Sequence, residues 1–228
     1  VSTDEPTKMF TLPERFSAEG TRVEQRFAVS KDGTKVPYFL VMPSGYTADG
    51  TTPTLLYGYG GFEISLTPRY RSLFGRLWLE NGGAYVIANI RGGGEYGPQW
   101  HQAALKENRQ KAFDDFNAVA EHLFSTKVTQ SKHLGIMGGS NGGLLVGATM
   151  TQTPQNFGAV VCQVPLLDML RYSKLLAGAS WVGEYGDPDN AAMREILGSY
   201  SPFHNVKKGT TYPPVLFVTS TKDDRVHP

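Results

Sequence analysis

The stretch Gly138-Gly139-Ser140-Asn141-Gly142-Gly143 decides the fold, because it fits the pattern G-x-S-x-G and lies between two contrasting segments. The apolar segment Leu134-Gly135-Ile136-Met137 before it predicts a buried strand. The small residues from Leu144 to Met150 after it predict a helix. Gly138 and Gly142 leave room for a tight, strained turn between the two elements. The sequence therefore predicts a strand–turn–helix unit with a serine at its corner.

The rest of the chain repeats this alternation of apolar strands and helical stretches. Further buried runs, which are typical of a parallel sheet, occupy residues 54–57, 84–88, 159–164 and 215–219. Two earlier runs, 23–29 and 36–41, flank the turn signal Lys31-Asp32-Gly33 and predict a hairpin. An amphipathic pattern predicts a helix over 111–124. We expect an α/β protein: a mostly parallel sheet with a leading antiparallel hairpin and helices on both faces.

Composition limits the classes of function. The 228 residues are 40% hydrophobic, which is enough for the core of one domain. With 22 basic and 21 acidic residues the net charge is +1, so nothing indicates a nucleic acid or an anionic membrane as partner. The single cysteine, Cys162, lies in an apolar run and is interpreted as a buried structural thiol. A neutral or small substrate is expected, with no metal ion or other cofactor.

Ser140 on such a turn is a candidate nucleophile for acyl transfer. The helix that follows points its first amides toward the serine, so the Asn141 N–H is a candidate donor to the developing oxyanion. A second donor is expected on the loop after the earlier strand, within Tyr57-Gly58-Tyr59-Gly60-Gly61-Phe62. A tyrosine phenol could supply it, and these residues leave Tyr57 and Tyr59 both open.

The acid of a Ser–Asp–His order should follow a later strand. Asp223 and Asp224 come directly after the predicted strand 215–219, which favours this pair. Asp168 follows the preceding strand and is a rival, but capping of a loop explains it equally well.

The catalytic base is not evident among the five histidines. His227 lies so close to Asp223 that it would share the loop of the acid, whereas a triad needs a histidine from a separate loop. The other four precede the acid, which is the wrong order for this fold: His101, His122, His133 and His204. We expect the histidine, with the last strand and helix of the fold, to lie outside this chain.

Other functions remain as alternatives. Gly92-Gly93-Gly94-Glu95-Tyr96-Gly97 matches the dinucleotide pattern G-x-G-x-x-G, with Asp114 and Asp115 about 20 residues further on. Pro98 follows at once and both aspartates fall in a predicted helix, which argues against a dinucleotide site. A serine esterase or other acyl hydrolase would use the same machinery. An inactive fragment that lacks its histidine is a further alternative.

Four stretches in this order resemble the prolyl oligopeptidase family: Tyr57–Phe62, Asn89–Gly97, Gly138–Gly143 and Asp223–Val226. The resemblance runs from about Arg22 to the last residue and implies an α/β-hydrolase peptidase domain over 22–228, incomplete at its C-terminus, after a connecting segment over 1–21. It implies a serine-type endopeptidase or oligopeptidase that cleaves short peptides, on the carboxyl side of proline, through an acyl-enzyme. In the family this domain is joined to a β-propeller that filters substrates by size. The compartment, cytoplasmic or periplasmic, stays open.

The resemblance also implies roles for the reacting residues. Ser140 is similar to the family's nucleophile, and Asp223 to the acid that orients the histidine. Asp224 is then only a neighbour. Tyr59, the second tyrosine of its loop, is similar to the side-chain donor that is paired with the Asn141 amide in the oxyanion hole.

A second set of residues is implied to bind substrate. Trp181 and Tyr185 resemble the residues that flank the proline ring, and Phe62 and Val226 resemble further lining of that pocket. Arg225 resembles the anchor for a peptide carbonyl on the acyl side of the cut. A flat aromatic face suits a proline ring, and a guanidinium is a fixed fork of donors for carbonyl oxygens.

Overall fold

The computed structural model describes residues 7–11 and 13–228, and in these residues the chain forms a seven-stranded sheet. The strands are β1 (Arg22–Val29), β2 (Lys35–Met42), β3 (Thr54–Gly58), β4 (Ala84–Ala88), β5 (Leu134–Gly139), β6 (Ala159–Gln163) and β7 (Val215–Val218). Their order in the sheet is β1-β2-β4-β3-β5-β6-β7. The pairs β1–β2 and β2–β4 are antiparallel and the remaining four pairs are parallel.

Helices cover both faces of the sheet. They are α1 (Ser72–Leu77), α2 (Pro98–Gln102), α3 (Gln110–Ser125), α4 (Asn141–Gln152), α5 (Val182–Tyr185), α6 (Ala191–Tyr200) and α7 (Pro202–Asn205). Short 3-10 turns lie at Leu79–Asn81, Lys106–Asn108, Ser131–His133, Pro154–Asn156, Tyr172–Lys174 and Leu176–Trp181. On one face, α3 and α4 pack in the main core, and on the other, α1 covers a smaller apolar cluster around Tyr85 and Ile87.

The architecture confirms the predicted mostly parallel sheet, its leading hairpin and the helices on both faces. The helix expected over 111–124 is α3, and the helix expected after Ser140 is α4, which begins at Asn141. Helix α1 has no sequence signal, since Arg71 makes no side-chain cap and only Gly75 of the helix is buried. The short α1 is held by tertiary contacts instead.

The connecting segment expected over 1–21 lies partly outside the described residues. Within 13–21, Phe16 stacks on Tyr70 with ring centroids 4.6 Å apart and packs over Gly75 of α1. These contacts tie the segment to α1 and to the loop before it. The boundary between the two predicted units stays a prediction.

A buried ion pair fixes the loop after β4. The Arg91 guanidinium contacts Asp115 of α3 at 2.6 Å and Asp32 of the hairpin turn at 2.6 Å, with Arg91 5% exposed. Hydrogen bonds from Arg91 hold the pKa of the Asp32 carboxyl well below its usual range. The hairpin, the loop and α3 therefore meet at one cation.

Candidate active site

Ser140 occupies a strained turn between β5 and α4. Its φ is 57°, in the left-handed region that residues other than glycine rarely adopt. The Ser140 N–H donates to the Gln163 carbonyl at 2.9 Å, and the Ser140 carbonyl accepts from the Gly143 N–H at 2.8 Å. A Cβ on Gly138 would lie 2.1 Å from the Gly142 carbonyl oxygen. The chain passes from strand to helix only because glycine stands at that contact.

A cavity of about 240 Å³ opens beside Ser140. It is lined by Tyr59, Phe62, Ile64, Ser140, Leu166, Trp181, Tyr185 and Arg225. Six of the residues predicted to form the site are thus brought together from loops that lie far apart in sequence. Val226 is buried and lines a neighbouring cavity of about 380 Å³, which shares Leu166 and Trp181 with the first.

The two tyrosines that the pattern left open lie in different surroundings, Tyr57 within β3 and Tyr59 in the loop after it. Tyr57 packs in the smaller apolar cluster, with its ring 6.4 Å from that of Tyr85. Tyr59 faces the cavity that contains Ser140. Burial raises the pKa of the Tyr59 phenol above its usual value, and the neighbouring Ser140 hydroxyl counteracts part of that shift. The geometry favours Tyr59 as the partner of Ser140.

Asn141 contributes more than a backbone amide. As the first residue of α4, its N–H has no acceptor inside the helix. Its side chain is buried, where Nδ2 donates to the Tyr59 carbonyl at 2.6 Å and Oδ1 accepts from the Tyr185 hydroxyl at 2.7 Å. The pattern G-x-S-x-G carries no information about this bridge, because any residue is allowed after the serine.

The candidate acid lies in a turn that follows β7. Asp223 Oδ1 accepts from the backbone N–H groups of Arg225 and Val226, both at 2.9 Å, and these hydrogen bonds lower the pKa of Asp223. The rival Asp168 is bound by Arg171 at 2.6 Å and caps its own loop. Across residues 7–11 and 13–228, no histidine hydrogen-bonds to Ser140 or to a carboxylate of the Asp223 turn.

The aromatic residues of the cavity form an edge-to-face chain. The Phe62 ring meets the Tyr185 ring at a centroid distance of 5.8 Å, and the Tyr185 ring meets the Tyr172 ring at 5.4 Å. Tyr185 is fully buried and Trp181 is 8% exposed. Such contacts hold flat apolar surface in a fixed orientation beside Ser140.

A buried group of charged residues behind the cavity has no counterpart in the sequence prediction. Glu184 Oε1 accepts from Arg109 at 2.5 Å and from the Phe62 N–H at 3.0 Å. Glu184 Oε2 lies 2.7 Å from His101 Nε2, and Arg109 donates to the Gly60 carbonyl at 2.7 Å. The partners are up to 122 residues apart in the chain, so no local spacing reveals them.

The glycines of residues 92–97 serve a packing role. A Cβ on Gly92 would lie 2.2 Å from the Gly60 carbonyl oxygen, and one on Gly94 would lie 2.2 Å from the Glu63 carbonyl oxygen. The helix that follows is only five residues long, and Asp115 is fully engaged with Arg91. These contacts explain the G-x-G-x-x-G match without a dinucleotide.

Cys162 is buried, and burial raises the pKa of its thiol to about 12. Among the residues that the structure describes, no three acidic, histidine or cysteine side chains group as a candidate metal site. In the same part of the chain, no helix combines the length and the apolar character needed to cross a bilayer.

Comparison with known proteins adds independent information. The sequence profile described as the prolyl oligopeptidase family matches residues 72–228. An uncharacterized peptidase of Sinorhizobium fredii is 57% identical over 227 residues, which cover 100% of this chain and 31% of that protein. A prolyl endopeptidase of Elizabethkingia meningoseptica is 48% identical over 215 residues, which cover 94% of this chain and 30% of that protein. The chain thus spans less than a third of these relatives.

Solved structures agree with the sequence matches. A structure from a study of two prolyl endopeptidases has a TM-score of 0.91 at 51% identity, covering 93% of this chain and 31% of its own. A post-proline cleaving enzyme from Rickettsia typhi has a TM-score of 0.92 at 47% identity, covering 98% of this chain and 32% of its own. These likenesses confirm the predicted α/β-hydrolase fold.

The turn at Ser140 provides a test of the strained geometry. Replacement of Gly138 by alanine puts a methyl group against the Gly142 carbonyl, and overpacking of this kind costs about 1–3 kcal/mol or more. Gly139→Ala is the matched control, because its Cβ would find nothing nearer than 3.6 Å. We expect a clear fall in thermal midpoint for Gly138→Ala and little change for Gly139→Ala. Equal midpoints for the two variants would contradict the geometry.

Proposed function

The chain belongs to the prolyl oligopeptidase family, and from that premise we propose that it is the catalytic part of a serine endopeptidase or oligopeptidase that cleaves short peptides after proline. The observation that carries the proposal is the position of Ser140, on a strained turn in one cavity with Tyr59 and an aromatic wall. The proposed activity is that of the full-length product of the gene, because the chain spans 31% of the first relative.

The proposed mechanism proceeds through an acyl-enzyme. Ser140 Oγ attacks the carbonyl carbon of the scissile peptide bond while a histidine accepts the hydroxyl proton. The resulting oxyanion receives hydrogen bonds from the Tyr59 phenol and the Asn141 N–H. The intermediate collapses, the C–N bond breaks, and the histidine returns its proton to the leaving amine. Water then attacks the Ser140 ester by the same sequence of proton transfers and releases the acid.

The state of the Tyr59 phenol suits this role. A tyrosine phenol is protonated at neutral pH and can donate a hydrogen bond, and burial moves the pKa of Tyr59 further above its usual value. The donor is held in place before the reaction, because the Tyr59 carbonyl is bound by Asn141 at 2.6 Å. A preorganised donor stabilises developing charge without reorganisation during the reaction.

We propose Asp223 as the acid that orients the histidine. An aspartate is ionised at neutral pH, as that role requires, and the backbone hydrogen bonds from Val226 and Arg225 lower the pKa of Asp223 further. None of the five histidines bonds to Ser140 or Asp223 in the described part of the chain, so we propose that the base comes from outside these 228 residues. The isolated 228-residue chain is then expected to hydrolyse peptides poorly, since loss of the base removes most of the catalysis.

The substrate side of the proposal rests on the shape and chemistry of the cavity. Trp181, Tyr185 and Phe62 offer flat apolar surfaces that suit a proline ring, and Val226 closes the neighbouring wall. Arg225 is exposed at the cavity, where its guanidinium can donate to a carbonyl of the bound peptide. We further propose a β-propeller as the partner domain in the full-length protein, as the family implies.

The first test is removal of the nucleophile. In the full-length product, Ser140→Ala should lower kcat on a chromogenic peptide with proline before the scissile bond by about 10⁵-fold or more. Ser199→Ala is the control, because Ser199 is exposed on α6. Activity that survives Ser140→Ala would refute the proposal. Equal turnover of matched peptides with and without proline would refute only the specificity.

The second test separates the two tyrosines. Tyr59→Phe removes the phenol that faces Ser140 and should lower kcat by about 10²–10³-fold with a small change in KM. Tyr57→Phe makes the same chemical change in the smaller apolar cluster, outside the cavity that contains Ser140, and should leave both constants almost unaltered. The reverse pattern would assign the oxyanion donor to Tyr57.

The third test distinguishes a peptidase from an esterase on the same fold. Arg225→Ala should raise KM for the peptide about tenfold, because a charged hydrogen bond to a peptide carbonyl contributes about 1.5–3 kcal/mol. A small acyl ester offers no such carbonyl, so its kcat/KM should hardly change. Losses of equal size on the two substrates would argue against the peptide-anchor role of Arg225.

A further inference from the structure

Two buried residues of opposite charge lie directly behind the loop that carries Tyr59. Arg109 is 1% exposed and Glu184 is 5% exposed, and their side chains meet at 2.5 Å. Such a pair costs desolvation energy, so it is not explained by stability alone. Both residues also bind the backbone of the Tyr59 loop, on the C-terminal side of the tyrosine.

The two backbone contacts hold the loop at two residues that follow Tyr59. Arg109 donates to the carbonyl of Gly60, the residue after Tyr59, at 2.7 Å. Glu184 accepts from the N–H of Phe62 at 3.0 Å. A second carboxylate oxygen of Glu184 meets His101 at 2.7 Å, so the carboxylate is held by three groups at once. Its orientation is therefore fixed.

The same pair is also connected to the backbone carbonyl of Tyr59, through Tyr185 and Asn141. The Arg109 guanidinium lies 5.1 Å from the centre of the Tyr185 ring. The Tyr185 hydroxyl donates to Asn141, whose amide donates to the Tyr59 carbonyl. Glu184 and Tyr185 are adjacent in α5. We call this closed set of contacts the Tyr59 circuit: it comprises Tyr59, Gly60, Phe62, Arg109, Asn141, Glu184 and Tyr185.

We propose that Glu184, held by Arg109, is a positioning residue that sets the Tyr59 phenol relative to Ser140. This inference rests on the proposed function, in which Tyr59 stabilises the oxyanion. Glu184 does not line the cavity beside Ser140, so it acts through the Tyr59 circuit. Its effect should therefore appear in kcat, where the transition state is stabilised, and depend on the presence of the Tyr59 hydroxyl.

The test is a double-mutant cycle in the full-length product. Glu184→Ala should lower kcat on the proline peptide about 10–100-fold in the unaltered background, with KM changed less than about threefold. In the Tyr59→Phe background the same substitution should lower kcat by less than about threefold, because the group it positions is gone. Glu107→Ala is the control, since Glu107 is exposed and near Arg109 in sequence.

Conservative variants guard against a purely structural effect. Glu184→Gln keeps an oxygen for Phe62 and Arg109 and an N–H for a neutral His101, so it should recover most of kcat. If Glu184→Ala does not fold, the cycle is run with R109M/E184A, in which the ion pair is removed as a whole. The same dependence on Tyr59 is expected there.

The outcomes separate this inference from the proposed function. An equal loss of kcat from Glu184→Ala in both backgrounds would overturn the positioning role while leaving the proposed function intact. A rise in KM without a fall in kcat would also overturn it, because Glu184 would then act on substrate binding. If Tyr59→Phe alone has no effect on kcat, the oxyanion role in the proposed function fails instead.

Discussion

The close approach of two backbone segments at Ser140 is the constraint on which the rest of the site depends. The Gly142 carbonyl comes so near to Gly138 that a side chain there cannot be accommodated, and Ser140 takes a φ of 57° as a result. This turn aims the hydroxyl into the cavity and aligns the first amides of α4 beside it. Every other residue of the site is arranged around a serine whose position the main chain has already determined.

Glycine has the same purpose in the two loops that surround this turn. Gly60 lies against Ile90 and the backbone at Gly92, and Gly94 lies against the Glu63 carbonyl. The loops after β3 and β4 are thereby stacked on each other next to α4. The pattern G-x-G-x-x-G at residues 92–97 indicates a nucleotide site when it is taken alone. The contacts of Gly92 and Gly94 show instead that these glycines allow close packing of two backbone segments. A glycine-rich motif can therefore be interpreted only when it is known which group, a ligand or another backbone segment, packs against its glycines.

Much of this arrangement could be predicted from local sequence, because short-range chemistry sets it. Buried runs such as Leu134 to Met137 and the glycines around Ser140 report their own conformation. The choice between Tyr57 and Tyr59 was open to residue patterns, because residues two apart in a strand face the same side. The two separate only because β3 ends at Gly58, which leaves Tyr59 in the loop that follows. Helix α1 and the ion pair of Arg109 with Glu184 could not be predicted from local sequence. Both are determined by tertiary contacts between residues that are far apart in the chain.

The position of Tyr185 has a consequence for laboratory evolution of substrate preference. Its ring forms part of the cavity wall, and its hydroxyl holds Asn141. Under the proposed function, a substitution at Tyr185 that admits a different substrate residue would therefore change substrate recognition and catalytic turnover together. Ile64 and Leu166 contribute only apolar surface to the same wall. Variation of those two positions can change the shape of the cavity without removing a hydrogen bond to Asn141. We therefore expect Ile64 and Leu166 to tolerate substitution better than Tyr185 does.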